Sequence, residues 1–458
     1  MAMGRREREQ QPTLWVATQQ IRSAGHVFYD KLNAVLGGHG FDDFVEARCE
    51  RFYAGKMGRP SLEPGVYFRM LLIGYFEGID SERGIAWRCS DSLSLRQFLG
   101  YPLEKNPPDH STVSRTRRLI DVETHAEVFT FVLKILGENG LIDGKTVGVD
   151  ASTEEANAAM RSIVRRDTGE SYEQYLEGLA KESGIETPTR EDLAKLDKKR
   201  KKKGSNDDWE HPHDPDARIT KMKDGRTHQA HKVEHAVDLG GEGAVLSVNL
   251  YHANQGDTST LLDTIVNTTQ QLRELADDPS TADKLHDDWL GEVVTDKGYH
   301  SNDVLVTLEE MEIRSYASEP DRGKRNWKGK EAERDAVYAN RRRVRGDRGK
   351  RLLKKRGELL ERPFNHYLDD GGMRRTHLRR HENVMKRLLV HVAGFNLGIL
   401  MRRWLGAGTP KGLATLRAAA LGLYATLRRF GTAAIAASKL WSRFLASSPP
   451  MATPELAA

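Results

Sequence analysis

The order of short apolar segments between residues 145 and 317 constrains the fold most. Lys145-Thr-Val-Gly-Val-Asp150 reads as a strand whose apolar residues are buried and whose Asp emerges at the carboxyl end. Two alternating runs follow, Lys232-Val-Glu-His-Ala-Val-Asp and Ala244-Val-Leu-Ser-Val-Asn-Leu, and the Gly240-Gly-Glu-Gly between them is a hairpin signal. Residues 258–275 carry an amphipathic helix pattern, residues 289–295 a strand, residues 302–311 a helix and residues 312–317 a further strand. This order belongs to an α/β chain that folds a mixed sheet, with basic helices after it. Two of its strands run into an aspartate, Asp150 and Asp296, and ligands of open α/β sheets gather at strand ends.

The flanks read differently. Phe28, Leu32, Val35 and Leu36 recur at helical spacing, and Pro64 stands where a helix can start before Val66, Met70, Leu71 and Tyr75. Pro107-Pro108 breaks this region, and Asp109-His-Ser-Thr-Val-Ser-Arg-Thr-Arg-Arg then predicts a capped helix carrying Arg115, Arg117 and Arg118. Such a helix fits a DNA groove, or else is a solvated basic helix. Residues 154–215 form a polar insertion with a helical piece near residues 172–179 and a charged tip, Lys198-Lys-Arg-Lys-Lys-Lys-Gly. The chain of 458 residues has room for about two to four domains. The expected division is a flexible N-terminus at 1–24, a helical domain at 25–125, an α/β domain at 140–405 and a helical tail at 406–458.

Charge is uneven along the sequence. The net charge of +5 is modest, but residues 322–356 hold sixteen Lys/Arg against four Asp/Glu. That excess suits phosphate neutralisation with salt-sensitive affinity. Cys49 and Cys89 have no CxxC partner, so a disulfide framework or a cysteine zinc site is not expected, and a reducing cytoplasm is the default. The charged N-terminus lacks the apolar core of a secretory signal. The longest membrane-like stretch, residues 388–401, is 14 residues long and short of the ~20 a spanning helix needs, so no membrane is expected.

Asp150, Asp296 and Glu361, the last in Leu359-Leu-Glu-Arg-Pro-Phe, come from separate segments of this basic chain. Carboxylates so placed suit two Mg²⁺ ions roughly 3.5–4 Å apart, one activating an attacking oxygen and the other stabilising a leaving oxygen. Read without further context, Asp150 and Asp296 are equally ordinary strand-end turn or cap residues. Lys297 and His300 beside Asp296 suit contacts to DNA or water, or plain surface roles. The histidines at 211, 213, 228, 231 and 235 invite a zinc reading, but residues 231–235 read as a strand, where positions four apart lie ~13 Å apart. Trp289 reads as core, while Trp327 lies among Lys and Arg where an aromatic ring can stack on bases.

Several long strings resemble bacterial insertion-sequence transposases. They are Gly58-Arg-Pro-Ser-Leu-Glu-Pro-Gly-Val-Tyr-Phe-Arg-Met-Leu-Leu-Ile-Gly-Tyr-Phe-Glu-Gly, Pro108-Asp-His-Ser-Thr-Val-Ser-Arg, Asp214-Pro-Asp-Ala-Arg-Ile-Thr-Lys, Gln255-Gly-Asp-Thr, Thr295-Asp-Lys-Gly-Tyr-His and Gly371-Gly-Met-Arg-Arg-Thr-His-Leu-Arg. Together they are similar to the DDE transposases of the insertion-sequence-five and insertion-sequence-eleven-eighty-two groups, over roughly residues 25 to 403. The resemblance implies a ribonuclease H-like catalytic domain, a helical N-terminal DNA-binding domain and Mg²⁺-dependent cutting and joining of transposon DNA, with Mn²⁺ as an alternative ion. It implies that Asp150 bridges two metal ions while Asp296 and Glu361 each complete one. Many relatives also place a Lys seven residues after this Glu, where Leu368 stands here. Glu382 is the alternative third acid, and Glu358 a weaker one. Arg374, Arg375, Arg379 and Arg380 join Arg115, Arg117 and Arg118 as expected DNA contacts, because Arg offers a planar fork of donors to phosphate. The partners implied are the element's terminal inverted repeats, target DNA and further copies of the chain assembled on DNA, in the bacterial cytoplasm at the nucleoid. A transposase-derived repressor with idle acids and a metal-dependent nuclease without strand transfer are the rival functions.

Overall fold

The computed structural model describes residues 25–55, 61–199, 204–222 and 225–447, with side chains to residue 428. The expected flexible N-terminus, the opening Gly58-Arg59-Pro60 of the long N-terminal string and the end of the lysine run, residues 200–203, lie outside the described residues.

Helices α1 (Val27–Gly38), α2 (Phe41–Cys49), α3 (Pro64–Glu77), α4 (Glu82–Asp91), α5 (Leu93–Leu99), α6 (His110–Leu119) and α7 (Val122–Glu138) come first. Side chains of Ser81, Ser92, Asp109 and Asp121 cap α4, α5, α6 and α7 by accepting backbone N–H bonds that the first turn leaves unpaired. Pro64 opens α3, where its missing N–H costs nothing. Helix α3 is buried almost all round and brings Arg69 into the core. The Arg69 guanidinium forms two bonds to Asp42, at 2.6 and 3.0 Å, and one to Asn33. The rings of Phe41 and Phe98 pack about it, so a buried charge is both paired and enclosed.

Next come β1 (Thr146–Glu155), β2 (Val164–Arg165), α8 (Tyr172–Glu182), α9 (Arg190–Lys199), β3 (Trp209–Glu210), β4 (Arg218–Lys221), β5 (Thr227–Asp238), β6 (Val245–His252), α10 (Asp257–Ala276), β7 (Glu292–Thr295), α11 (Asn302–Glu310) and β8 (Arg314–Ala317). The main sheet runs β4-β5-β1-β7-β8, with β6 also paired to β5. Strand β5 is antiparallel to β1 and β6, whereas β1, β7 and β8 are mutually parallel neighbours. The architecture is therefore α/β with a mixed sheet. Helix α10 covers one face, where Thr260 and Thr264 bond to the buried Glu234 of β5.

The chain then forms α12 (Glu331–Arg345), α13 (Asp347–Leu359), the single turn α14 (Glu361–Phe364), a π-helical turn (Asn365–Asp370), α15 (His381–Leu405) and α16 (Pro410–Ser447). Helix α15 is buried along most of its length between α7, α3 and β6. Asn396 brackets both backbone groups of Val245 at 2.9 Å, so α15 locks the helical segment to the sheet. One hydrophobic cluster accordingly runs from Phe28 to Leu413. A stretch within residues 381–428 is long and apolar enough to cross a membrane, but most of it is inside this core.

Two expectations change. Strand β1 does not stop at Asp150; it continues to Glu155 because β5 pairs with it over that length. The insertion is more ordered than its polarity implies: α8 and α9 bury Leu176, Ala180 and Leu193 in a small core of their own, and β2 pairs with β3. In the tail, Leu416, Leu423 and Leu427 of α16 are exposed among the described residues.

Candidate active site

Register brings two of the expected acids together. In the parallel pair of β1 and β7, Gly148 is the partner of Val294. Asp150 and Asp296 each come two residues later, so side-chain alternation points both to the same side of the sheet. Pairing with β7 ends at Gly148, which leaves Asp150 at a strand end relative to β7 even though β5 continues beside it. Asp296 turns the chain by accepting the N–H of Gly298 at 2.8 Å.

Two neighbouring carboxylates repel unless a cation stands between them. Arg356 of α13 is that cation. Its Nη2 lies 3.1 Å from Asp150 Oδ2 and 4.0 Å from Asp296 Oδ2. The guanidinium is largely buried, and its Nε has no hydrogen-bond partner among the described residues. Sequence reasoning counted Arg356 only as part of a basic run; helical spacing alone could not show that α13 lies over β1 and β7.

The element after α13 is pinned beside the same acids. A Cβ on Gly148 would stand 2.6 Å from Leu360 Cδ1, so glycine lets the start of α14 approach β1 closely. Phe364 stacks face to face on His235, with ring centres 3.8 Å apart, and His235 is the β5 partner of Asp150. Tyr367 Oη lies 3.0 Å from His235 Nδ1. Burial pushes the His235 pKa down to about 3, so the ring is neutral. Glu361 lies between Leu360 and Phe364, exposed on this turn. Pro363 is accommodated because α14 is a single turn.

The rival acids sit elsewhere. Glu382 pairs with the buried Lys386, which also donates to the carbonyl of Arg117, so it belongs to the junction of α15 with α6. Glu358 is exposed on α13, 3.9 Å from Lys354. Among the described residues no three His, Cys, Asp or Glu side chains stand together as a ready-made metal cage. The structure brings Asp150 and Asp296 together around Arg356, with Glu361 on the adjoining turn.

The expected DNA contacts divide by exposure. Arg117 is buried and paired with Glu82 and Asn383, so it serves the fold rather than the surface. Arg374 forms a fork to Asp369, with bonds at 2.7 Å, and also reaches Ser152 and the Thr153 carbonyl, tying the π-helical turn to β1. Arg115 and Arg118 are exposed and bond to Ser111, Thr112 and Ser114 of their own helix. Arg375, 3.6 Å from Glu155, and Arg379, bonded to the Asn157 carbonyl, are exposed beside the far end of β1. Arg380 is also exposed and turns the chain at a φ of 70°, with its N–H held by Asp214.

His300 is buried rather than presented to solvent, while Lys297 is exposed. His231 and His235 share a face of β5 but have different neighbours: Asp214 and the ring of His381 for the first, Phe364 and Tyr367 for the second. Trp289 packs against the main core, and the Arg325 guanidinium lies over Trp327. One strand over from Asp296, a cleft of about 500 Å³ opens at the end of β8, lined in part by Arg322, Arg341 and Arg345.

Residues 16–119 match the family model of a transposase domain (DUF772), a segment that ends with the last residue of α6. No curated protein matches the chain. The domain match supports a transposase function for this chain, with DNA as its general partner.

Proposed function

We propose that the protein is a DDE transposase with a ribonuclease H-like catalytic domain, which cuts the ends of its own mobile element and joins them to target DNA. The observation that carries this reading is the in-register pair of Asp150 and Asp296 bridged by one guanidinium. A basic group already standing between two carboxylates marks a place where positive charge is favoured. Carboxylate oxygens are the donors that Mg²⁺ and Mn²⁺ prefer, so the residues present fit such ions. Asp150 and Asp296 would hold the ions, and Glu361 would complete the set from the adjoining turn as Arg356 gives way. When bound, two such ions would activate the attacking oxygen and stabilise the leaving oxygen at the scissile phosphate.

The protein's own groups would do the rest. Arg356, released from the acids, stays within reach of a phosphate there. Arg375, Arg379 and Arg380, together with the cleft lined by Arg322 and Arg345, offer a positive path for the DNA backbone on either side. The helical segment containing the matched domain would bind the terminal inverted repeats, with Arg115 and Arg118 of α6 facing phosphate. Two ends must meet, so the active species would be an oligomer on DNA.

The test is excision and joining of a marker flanked by the element's own ends. Wild type should move the marker, and Asp150→Asn, Asp296→Asn and Glu361→Gln should reduce movement by at least about 100-fold while still binding the ends. Glu382→Gln should keep activity. Wild type that binds the ends but never cuts with Mg²⁺ or Mn²⁺ would support a repressor instead, and hydrolysed ends without joined product would support a nuclease.

A further inference from the structure

The string Gln255-Gly-Asp257-Thr has no role in the account above. The fold brings Asp257 to the proposed site from the opposite side to Arg356. It is the first residue of α10, and its Oδ1 lies 2.7 Å from Nζ of Lys232, a buried lysine of β5. Lys232 also lies 3.2 Å from the fully buried Glu234, which accepts bonds from Thr260, Thr264 and Tyr299. Asp257 is thus the outer end of a buried, charge-paired network rather than a loose surface acid.

Gly298 shows what the other oxygen of Asp257 faces. A Cβ at Gly298 would meet Asp257 Oδ2 at 2.6 Å and Asp296 Oδ1 at 3.1 Å. The two carboxylates therefore border the same small space, one that exists because residue 298 has no side chain. Tyr299, next in the chain, has Glu234, Asp257 and Asp150 close enough for all three charges to raise its phenol pKa, after burial as the largest cause. Asp257 and Asp150, from two other elements, thus lie beside the segment from Asp296 to Tyr299.

We propose that Asp257 is a positioning residue of the metal site: held by Lys232, it fixes the Asp296 turn across the Gly298 space and adds negative potential where a divalent cation binds. This rests on the Asp150–Asp296 reading. It differs from the ordinary role of an acid in a helix's first turn, which stabilises the helix through its dipole and leaves metal affinity alone.

The experiment is Mn²⁺ titration by calorimetry of the full chain, wild type against Asp257→Asn, Gly298→Ala and Asp150→Asn, with the Mg²⁺ dependence of cleavage measured alongside. Asp257→Asn should weaken Mn²⁺ binding by about tenfold, and excess Mg²⁺ should restore its cleavage. Asp257→Glu should recover part of the affinity. Gly298→Ala, which pushes both carboxylates aside, should show the same weakened binding and keeps the idea testable should Asp257→Asn fail to fold. Wild-type Mn²⁺ affinity in both Asp257→Asn and Gly298→Ala, with binding lost in Asp150→Asn, would overturn this inference and leave the two-aspartate site standing. Unchanged affinity in Asp150→Asn as well would overturn both.

Discussion

At the scale of single residues, Arg356 lowers the repulsion between two neighbouring carboxylates. Removing it takes away the guanidinium that lies 3.1 Å from Asp150 and 4.0 Å from Asp296. Arg356→Met should therefore lower unfolding stability in EDTA by roughly 1–2 kcal/mol, and millimolar Mg²⁺ should restore most of the loss. Denaturant melts with and without Mg²⁺ check this; a variant as stable as wild type in EDTA, with no response to Mg²⁺, would contradict it. The residue scale is also where the sequence was most uneven as a guide. Asp150 and Asp296 stood out because each ends an apolar run, and the fold places them side by side. The roles of Arg356 and Asp257 did not stand out, because each acquires its meaning from a neighbour on another element, Arg356 from Asp150 and Asp257 from the Gly298 turn. Arg117 misled for the reverse reason: a basic helix reads as a surface, yet Glu82 and Asn383 draw that side chain inward.

At the scale of elements, the close approach of α14 to β1 is the contact on which the third acid depends. Gly148 admits Leu360, and His235 receives Phe364 one turn later. Gly148→Val should push this turn outward, costing about 1–3 kcal/mol of stability and reducing DNA cleavage by more than tenfold without loss of DNA binding. Cleavage at the wild-type rate in a folded Gly148→Val protein would show that the turn carrying Glu361 takes no part. Strands β1, β5, β6, β7 and β8 and helices α10 and α11 were legible because period-two and period-3.6 patterns are distinct there, whereas the short β4 was not read. The π-helical turn after Pro363 was not visible, because tertiary contacts of Tyr367 and Arg374 hold it. Helix α9 was missed because it is short and mostly charged, with Leu193 its one fully buried residue.

At the scale of the whole molecule, the buried histidines couple stability to pH. Burial drives His125 and His235 down to about 3 and His381 to about 4, so all three are neutral in the folded protein at neutral pH. The unfolded chain takes up these protons first, near pH 6.5. Stability is therefore full above that pH and falls as pH drops towards the folded values, by up to about 1.4 kcal/mol per pH unit for each histidine. Unfolding midpoints between pH 7.5 and 5 check the direction, and His125→Gln should reduce the slope; a midpoint that rises on acidification would refute it. The same core is shared across the chain: α15 packs on both the helical segment and β6, a long-range contact that no local pattern announces. The central claim is that the sheet's paired aspartates form a divalent-cation site. The most direct measurement is an anomalous difference map from crystals grown with Mn²⁺. The account predicts a peak between Asp150 and Asp296 with Arg356 moved away, whereas no peak there and Arg356 still bridging both carboxylates would contradict it.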